Sequence, residues 1–388
     1  MCRRIAVVTG SRAEYGLLKL TMKEIKSDSD LILQTIVTGM HLSREFGSTW
    51  KLIEDDGFSI DARVDMFLSG DSPIDIAKNI GHGTIGFADA LERLKPDLML
   101  VLGDRYEILA AVSAAVPLGI PVAHMCGGES TEGAYDDYFR HAITKMSHLH
   151  FAQTELFRRR IIQMGESPEI VFSFGSPGIE SIERLRSEFW NRNRLEDELG
   201  LKFLRPLFVV TYHPVTLGGD PEKSIKELLS ALDEFNESSI VFTYPNSDAH
   251  SSIIIEMIND YVKRNPQRTI SVKSLGQIKY LSLVNECDVV IGNSSSGIIE
   301  VPALWKPTVN LGNRQKGRPQ ASSIINCEEK KSEIVNAIYK ALTPEFTEKA
   351  KNTELEYKAN DFSKRVIQIL KSCDISKLNK KQFYEVEF

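Results

Sequence analysis

Short apolar runs alternate along this chain with longer segments in which apolar residues recur at helical spacing. Ile5–Thr9 is one such run, followed by a helical pattern to about Ile25 and then by Leu31–Thr38. Further runs occupy Leu98–Leu102, Ile120–His124, Leu149–Gln153 and Ile170–Phe174, most of them followed by a polar or glycine-bearing turn and a helix. Continuous apolar runs suit strands buried on both faces, and strands separated by helices suit parallel crossovers. The pattern predicts a doubly wound parallel sheet.

The turn-formers Gly175-Ser176-Pro177-Gly178 interrupt this series, and residues 179–200 are charged and helical with no run long enough for a buried strand. A second series then begins with Leu207–Tyr212, Ile240–Tyr244, Thr269–Val272, Asp288–Ile291 and Thr308–Leu311, separated by helices near 221–236, 249–264, 276–285 and 296–304. The reading is an α/β protein of two Rossmann-like domains, 1–175 and 176–361, with a C-terminal segment 362–388. The helix Phe362–Lys371 is read as packing back on the first domain, and Lys377–Phe388 as frayed and solvated.

Composition narrows the function classes. The 388 residues are 42% apolar and 26% charged, the usage of an ordinary globular chain long enough for two cores. A net charge of -6 that is not gathered in a tail suggests neither nucleic acid nor an anionic membrane as partner. Cys2, Cys126, Cys287, Cys327 and Cys373 lie far apart with no zinc or disulfide spacing, which fits a reducing compartment. Arg3 and Arg4 precede too few apolar residues for a signal peptide, and Ala110–Ala123, broken by Pro117, Gly119 and Pro121, falls short of the roughly 20 residues that span a bilayer. A cytoplasmic protein is expected.

In open α/β sheets ligands collect beyond the carboxyl ends of the strands, and five places there carry chemistry. Gly10-Ser11-Arg12 is a small-residue turn opening a helix, where an anion can approach backbone amides beside a guanidinium; an ordinary strand-to-helix turn reads the same. Gly292-Asn293-Ser294-Ser295-Ser296-Gly297 gathers hydroxyls and amides at a helix start that carries Glu300, a phosphate cradle more than a lone serine cap. Gly103-Asp104-Arg105 sets a proton-handling carboxylate beside a diphosphate clamp, or else a capping Asp beside a solvent-facing Arg. His124 leads through Gly127-Gly128-Glu129 to Asp136-Asp137 and Arg140-His141, an acidic cluster suited to acid/base work in which one Asp is expected to cap a helix. His213-Pro214-Val215 puts an imidazole after the first strand of the second domain, whereas His148 and His150 lack further ligands and read as packing or surface residues, with no metal site.

These segments, together with Arg12-Ala13-Glu14-Tyr15, Arg140-His141-Ala142-Ile143-Thr144-Lys145 and Asn310-Leu311-Gly312-Asn313-Arg314-Gln315, occur in this order in one family. From about residue 5 to 320 the chain resembles the hydrolysing UDP-N-acetylglucosamine 2-epimerases of sialic acid synthesis. The resemblance implies a GT-B fold whose two domains close on UDP, a homodimer or homotetramer, and no cofactor, neither metal nor nicotinamide. It implies that Arg12, Arg105, Ser294 and Ser295 hold the diphosphate, that Glu300 accepts the ribose hydroxyls, and that Arg314 and His213 face the phosphates. Such an allotment offsets the charge of leaving UDP.

The implied reaction is anti-elimination of UDP across carbons 1 and 2 to give a 2-acetamidoglucal, then addition of water that inverts carbon 2, yielding N-acetylmannosamine. Asp104, Glu129 and Asp136 are the candidate proton-handling carboxylates, with His213 also counted at the catalytic centre. Where several relatives carry a catalytic glutamate two residues after the strand-end His, this chain has Cys126, and a thiol is a poor stand-in for a carboxylate. Either Glu129 takes up part of that role or substrate and mechanism differ in detail. The leading expectation is UDP-N-acetylglucosamine as substrate. The alternative is UDP-N,N'-diacetylbacillosamine on the route to legionaminic acid, and further readings are a GT-B glycosyltransferase and a non-catalytic UDP-sugar-binding regulator.

Overall fold

The computed structural model describes residues 2–44, 46–66, 72–132, 134–215, 220–246, 248 and 250–386; Ala249, at the start of one expected helix, and Glu387–Phe388 of the expected frayed end lie outside them. Its contacts divide the chain into two compact units. The first comprises Met1–Glu129, Tyr135–Ser181 and Tyr357–Phe388, and the second Ser130–Ala134 and Ile182–Glu356.

The first unit is built on seven strands: β1 (Arg3–Thr9), β2 (Leu31–Thr38), β3 (Ala62–Val64), β4 (Leu98–Leu102), β5 (Val122–Met125), β6 (Leu149–Ala152) and β7 (Val171–Ser173). They pair in the order β3-β2-β1-β4-β5-β6-β7, parallel throughout. Successive residues of β1 serve opposite faces. Ile5 and Val7 pack with Leu18, Met22, Phe362 and Val366, while Ala6 and Val8 pack with Phe87, Leu91, Ile108 and Val112. Burial on both faces is why the strands read as continuous apolar runs. β3 was not legible in the sequence because it is a three-residue edge strand with Arg63 exposed at its centre. β5 starts two residues later than expected because Pro121 has no N–H for the ladder.

The helix Phe362–Ser372 packs on Arg12–Ser27 through Phe362, Val366, Ile367 and Leu370, each such buried side chain being worth about 2 kcal/mol. Arg3 ties its end by donating to the Cys373 carbonyl at 3.0 Å, and Ser363 donates to Glu180 through both N–H and hydroxyl at 3.0 and 2.5 Å. Gly175 adopts φ +85°, and a Cβ there would collide with the Lys358 carbonyl where the chain returns.

The described C-terminal tail is largely exposed, as expected of a solvated end, but it is tied down instead of frayed. The Lys381 amine donates to the carbonyls of Lys145 and Ser147 at 2.6 and 2.7 Å and pairs with Glu166 at 2.7 Å, Tyr384 N–H donates to Gly165 O at 2.9 Å, and Lys145 lies 5.0 Å over the Phe383 ring. These partners are distant in sequence, so nothing local in the tail announces them.

The second unit has six parallel strands: β8 (Leu207–Thr211), β9 (Ser239–Thr243), β10 (Thr269–Val272), β11 (Val289–Gly292), β12 (Thr308–Leu311) and β13 (Ile324–Cys327), in the order β10-β9-β8-β11-β12-β13. One face of this sheet packs Phe208, Val210 and Phe242 against Ile225, Leu228, Ile258 and Ile338 from the crossover helices. The edge strand β13 was also missed, because none of its residues is fully buried. No described helix is long and apolar enough to cross a membrane.

Glu166 is a pH-sensitive tie in the first unit. Burial by itself would raise its pKa from the ordinary 4.5, but the hydrogen bond from buried His150 at 3.1 Å and those from Lys145 and Lys381 outweigh burial and hold it at about 2. A depressed carboxyl pKa contributes stability that is complete above the ordinary value and is lost as pH falls towards the folded one. Glu166→Gln is therefore expected to lower the denaturant midpoint at pH 7, and the gap to wild type to shrink as pH falls below 4.5. A gap independent of pH over that range would show that Glu166 does not act through its charge.

Candidate active site

In the first sheet the strand order reverses between β1 and β4, the kind of position at which open α/β sheets bind ligands. The β1 loop runs Gly10-Ser11-Arg12 into the helix Arg12–Ser27. Ser11 and Glu14 form a capping box: the Ser11 hydroxyl accepts from Glu14 N–H at 3.3 Å, and the Glu14 carboxylate accepts from Gly10 N–H at 2.7 Å and Ser11 N–H at 3.1 Å. The two amides that the sequence offers to an incoming anion are thus taken by the chain's own carboxylate. Burial, then the neighbouring Glu107 charge, push Glu14 up to about 7. Arg12 stays half-exposed on the first turn.

The β4 loop carries Asp104 and Arg105, and the helix Tyr106–Ala115 follows with Arg105 as its cap residue, without a side-chain cap bond. Neither half of the capping alternative survives, because Arg105 is buried. Its guanidinium forks onto Glu107 through Nε at 3.1 Å and Nη2 at 3.0 Å, and Glu107 is fully buried. The fork geometry makes this a strong, direction-fixing pair. Glu107 packs against Gly39 at the end of β2, where a Cβ would come within 2.8 Å of its oxygen. Nearby, His41 is buried between the hydroxyls of Thr9 at 3.0 Å and Thr49 at 2.8 Å, and burial lowers its pKa to about 3, so it is neutral. Glu107 and His41 had no part in the sequence reading, and Glu14, quoted within Arg12-Ala13-Glu14-Tyr15, was given no role there. Only Glu14 carried a local signal, its spacing of three from Ser11.

Asp104 pairs with Arg140, whose guanidinium is 1% exposed and also reaches Asp137 at 3.2 Å. Arg140, Asp137 and Asp136 lie on the helix Tyr135–Met146, with both Asp residues in its first turn and half-buried. The structure thus joins Asp104 and Asp137 through one guanidinium. Glu129 is buried and held separately, by the Gln153 amide at the end of β6. Burial lowers the His124 pKa to about 3, so the ring is neutral; its Nε2–H donates to Gly103 O at 2.7 Å, bracing the peptide before Asp104, and its Nδ1 accepts from the Thr144 hydroxyl at 3.2 Å. His148 and His150 are packing residues: His148 Nδ1 accepts from Val122 N–H at 3.1 Å, and His150 meets Glu166.

Cys126 belongs to the buried apolar cluster under the sheet, with φ +63° and its N–H donating to Phe151 O at 2.9 Å. A thiol packed in the core does not reproduce a projecting carboxylate.

In the second sheet the reversal falls between β8 and β11. Beyond these strand ends the Asn293 side chain takes over from the ladder: its Oδ1 accepts from His213 N–H at 2.7 Å and its Nδ2 donates to His213 O at 2.8 Å. The Asn293 carbonyl accepts from Arg314 Nη1 at 3.2 Å and Gln315 Nε2 at 2.8 Å, which brings in the loop after β12. Gly292 has φ +136°, and a Cβ there would collide with the Thr211 carbonyl, so the close approach of the two strands requires glycine. Ser295 caps the helix Ser296–Ala303 without a side-chain bond, Ser294 Oγ accepts from Ser296 N–H at 3.4 Å, and Glu300 sits half-buried on that helix. His213 is buried, its Nδ1 lying 3.9 Å from Asp248. The predicted residues His213, Ser294, Ser295 and Arg314 therefore share one connected set of loops, and Asn293, inside a quoted motif yet given no role, is the link.

Comparison with known proteins bears on the family and the fold. The family model described as UDP-N-acetylglucosamine 2-epimerase matches residues 23–371. The GDP/UDP-N,N'-diacetylbacillosamine 2-epimerase (hydrolyzing) of Campylobacter jejuni is 42% identical over 84% of each chain. The UDP-N,N'-diacetylbacillosamine 2-epimerase (hydrolyzing) of Legionella pneumophila is 36% identical over 88% of this chain and 89% of its own. Among solved structures, the Methanocaldococcus jannaschii UDP-GlcNAc 2-epimerase in complex with UDP-GlcNAc and UDP superposes with a TM-score of 0.78 at 18% identity, covering 95% of this chain and 99% of its own, a likeness of fold. With its two Rossmann-like parallel sheets of the GT-B type, the chain belongs to the UDP-N-acetylglucosamine 2-epimerase family of enzymes.

Proposed function

We propose that this enzyme is a hydrolysing 2-epimerase whose substrate is UDP-N,N'-diacetylbacillosamine, which it converts with water to UDP and the free 2-epimeric sugar. The observation that carries the proposal is the Asp104–Arg140–Asp137 array at the carboxyl end of the first sheet, a carboxylate oriented by a buried guanidinium. A carboxylate so oriented suits proton removal from carbon 2 as the bond from carbon 1 to UDP breaks. Glu129 and Asp136 are the candidates for returning a proton and for meeting cationic character at carbon 1. In the second domain Ser294, Ser295, Arg314 and His213 would take the diphosphate and Glu300 the ribose hydroxyls. Arg105 enters this scheme as part of its fork with Glu107, which limits it to the guanidinium edge left over.

The choice of sugar departs from the leading expectation drawn from the sequence. Supporting it are the Campylobacter and Legionella relatives, at 42% and 36% identity, whose names specify the diacetylbacillosamine sugar. A core-packed Cys126 in place of a carboxylate also supports a branch with altered chemistry at that position. UDP-N-acetylglucosamine is the second reading, favoured by the description of the matching family model.

Incubation with each UDP-sugar in deuterated water, followed by chromatography and NMR of the products, tests the proposal. The expected result is UDP release from the diacetylbacillosamine donor without any acceptor, with deuterium at carbon 2 of the released sugar. Release from UDP-N-acetylglucosamine alone would select the second reading, and release from neither would refute both. Asp104→Asn is expected to keep UDP affinity within about twofold of wild type while turnover falls at least about a hundredfold, the scale of a lost general base. An unchanged turnover would remove Asp104 from the mechanism.

A further inference from the structure

We infer that Asn293 is a positioning residue for nucleotide binding, one that sets His213 and Arg314 without itself contacting the substrate. The inference rests on the proposed UDP site. At the point where β8 and β11 part, their ladder ends with Asn293 N–H donating to Thr211 O at 3.2 Å. One residue further on, the Asn293 side chain copies a strand partner, accepting from His213 N–H and donating to His213 O. A carboxamide is among the few side chains that offer an acceptor and a donor at this spacing. Asp supplies no donor when ionised and Ser is too short to reach both groups.

The same residue works in a second direction through its main chain. Its carbonyl accepts from Arg314 Nη1 and Gln315 Nε2, and both Asn293 and Gln315 are fully buried. Four hydrogen bonds at one residue thus span three loops, those after β8, β11 and β12. Each loop presents a candidate phosphate ligand: His213, Ser294 with Ser295, and Arg314. Buried and already engaged on both its side chain and its carbonyl, Asn293 is placed to act through these ligands. Its contribution is preorganisation: loops already fixed in place lose less entropy when the diphosphate arrives.

Calorimetric titration of UDP into wild type, Asn293→Ala, His213→Ala and the double variant distinguishes the outcomes, with chemical denaturation of each run in parallel. The expected result is a rise of about tenfold in Kd and in KM for Asn293→Ala, the scale of a lost buried hydrogen bond, with a smaller change in kcat. The double variant is expected to be little weaker than His213→Ala, because the two act through one another. Asn293→Asp, which keeps the acceptor for His213 N–H and loses the donor, is expected to weaken UDP at neutral pH in the same direction and serves if the alanine variant does not fold. Wild-type affinity in a folded Asn293 variant, or full additivity with His213→Ala, would overturn the inference and leave the UDP site standing. Failure of wild type to bind UDP would overturn the site and the inference together.

Discussion

A sheet made only of parallel strands must be covered on both faces, and the rest of this molecule follows from that constraint. Each strand is followed by a crossover that returns to the same end, so all the loops leaving the carboxyl ends gather on one edge of each sheet. The apolar cost is met by strands such as β4 and β8, buried along their whole length. Polar residues are thereby displaced to the strand ends, and where the strand order reverses, neighbouring loops separate and leave room for a ligand. Most of the residues argued to handle substrate stand in the loops after these ends or in the first turn of the next helix, and Glu300 lies one turn further along its helix.

What holds those loops is a recurrent device, a buried polar group satisfied by a partner from the next strand or helix. Glu107 anchors Arg105, Arg140 anchors Asp104, Gln153 anchors Glu129 and Asn293 anchors His213. Such pairs add little net stability, since desolvation offsets much of the attraction. They do fix direction, which a proton-transfer site needs more than it needs stability. The capping box of Glu14 belongs with them: it occupies the amides of Gly10 and Ser11, so those two donors are already satisfied within the chain.

The sequence was most informative where the signal is local. Four strands, Leu31–Thr38, Leu98–Leu102, Thr269–Val272 and Thr308–Leu311, match the sequence limits at both ends, and the other expected strands lie within two residues, because short runs of strand-forming residues bounded by polar turns mark them. The missed strands are edge strands without that signature: β3 is three residues long with Arg63 exposed at its centre, and no residue of β13 is fully buried. The motifs around Asp104, Glu129, His213 and Ser294 identified the family because small residues and charges at strand ends have few structural uses.

Tertiary structure decided the pairings. Asp104 and Arg140 lie 36 residues apart and His213 and Asn293 80 apart, separations across which no periodicity reports a contact. The same holds for Lys381, which reaches the carbonyl of Ser147 across 234 residues and turns an apparently free tail into a docked one. By itself, then, the sequence determined the two parallel sheets, because strand burial is written in neighbouring residues, and its ordered motifs carried the resemblance to the family. Only the fold decided which carboxylate meets which guanidinium, that Glu14 takes the amides of the first loop, and that Cys126 lies in the core, because those outcomes depend on where crossover helices bring residues remote in the chain.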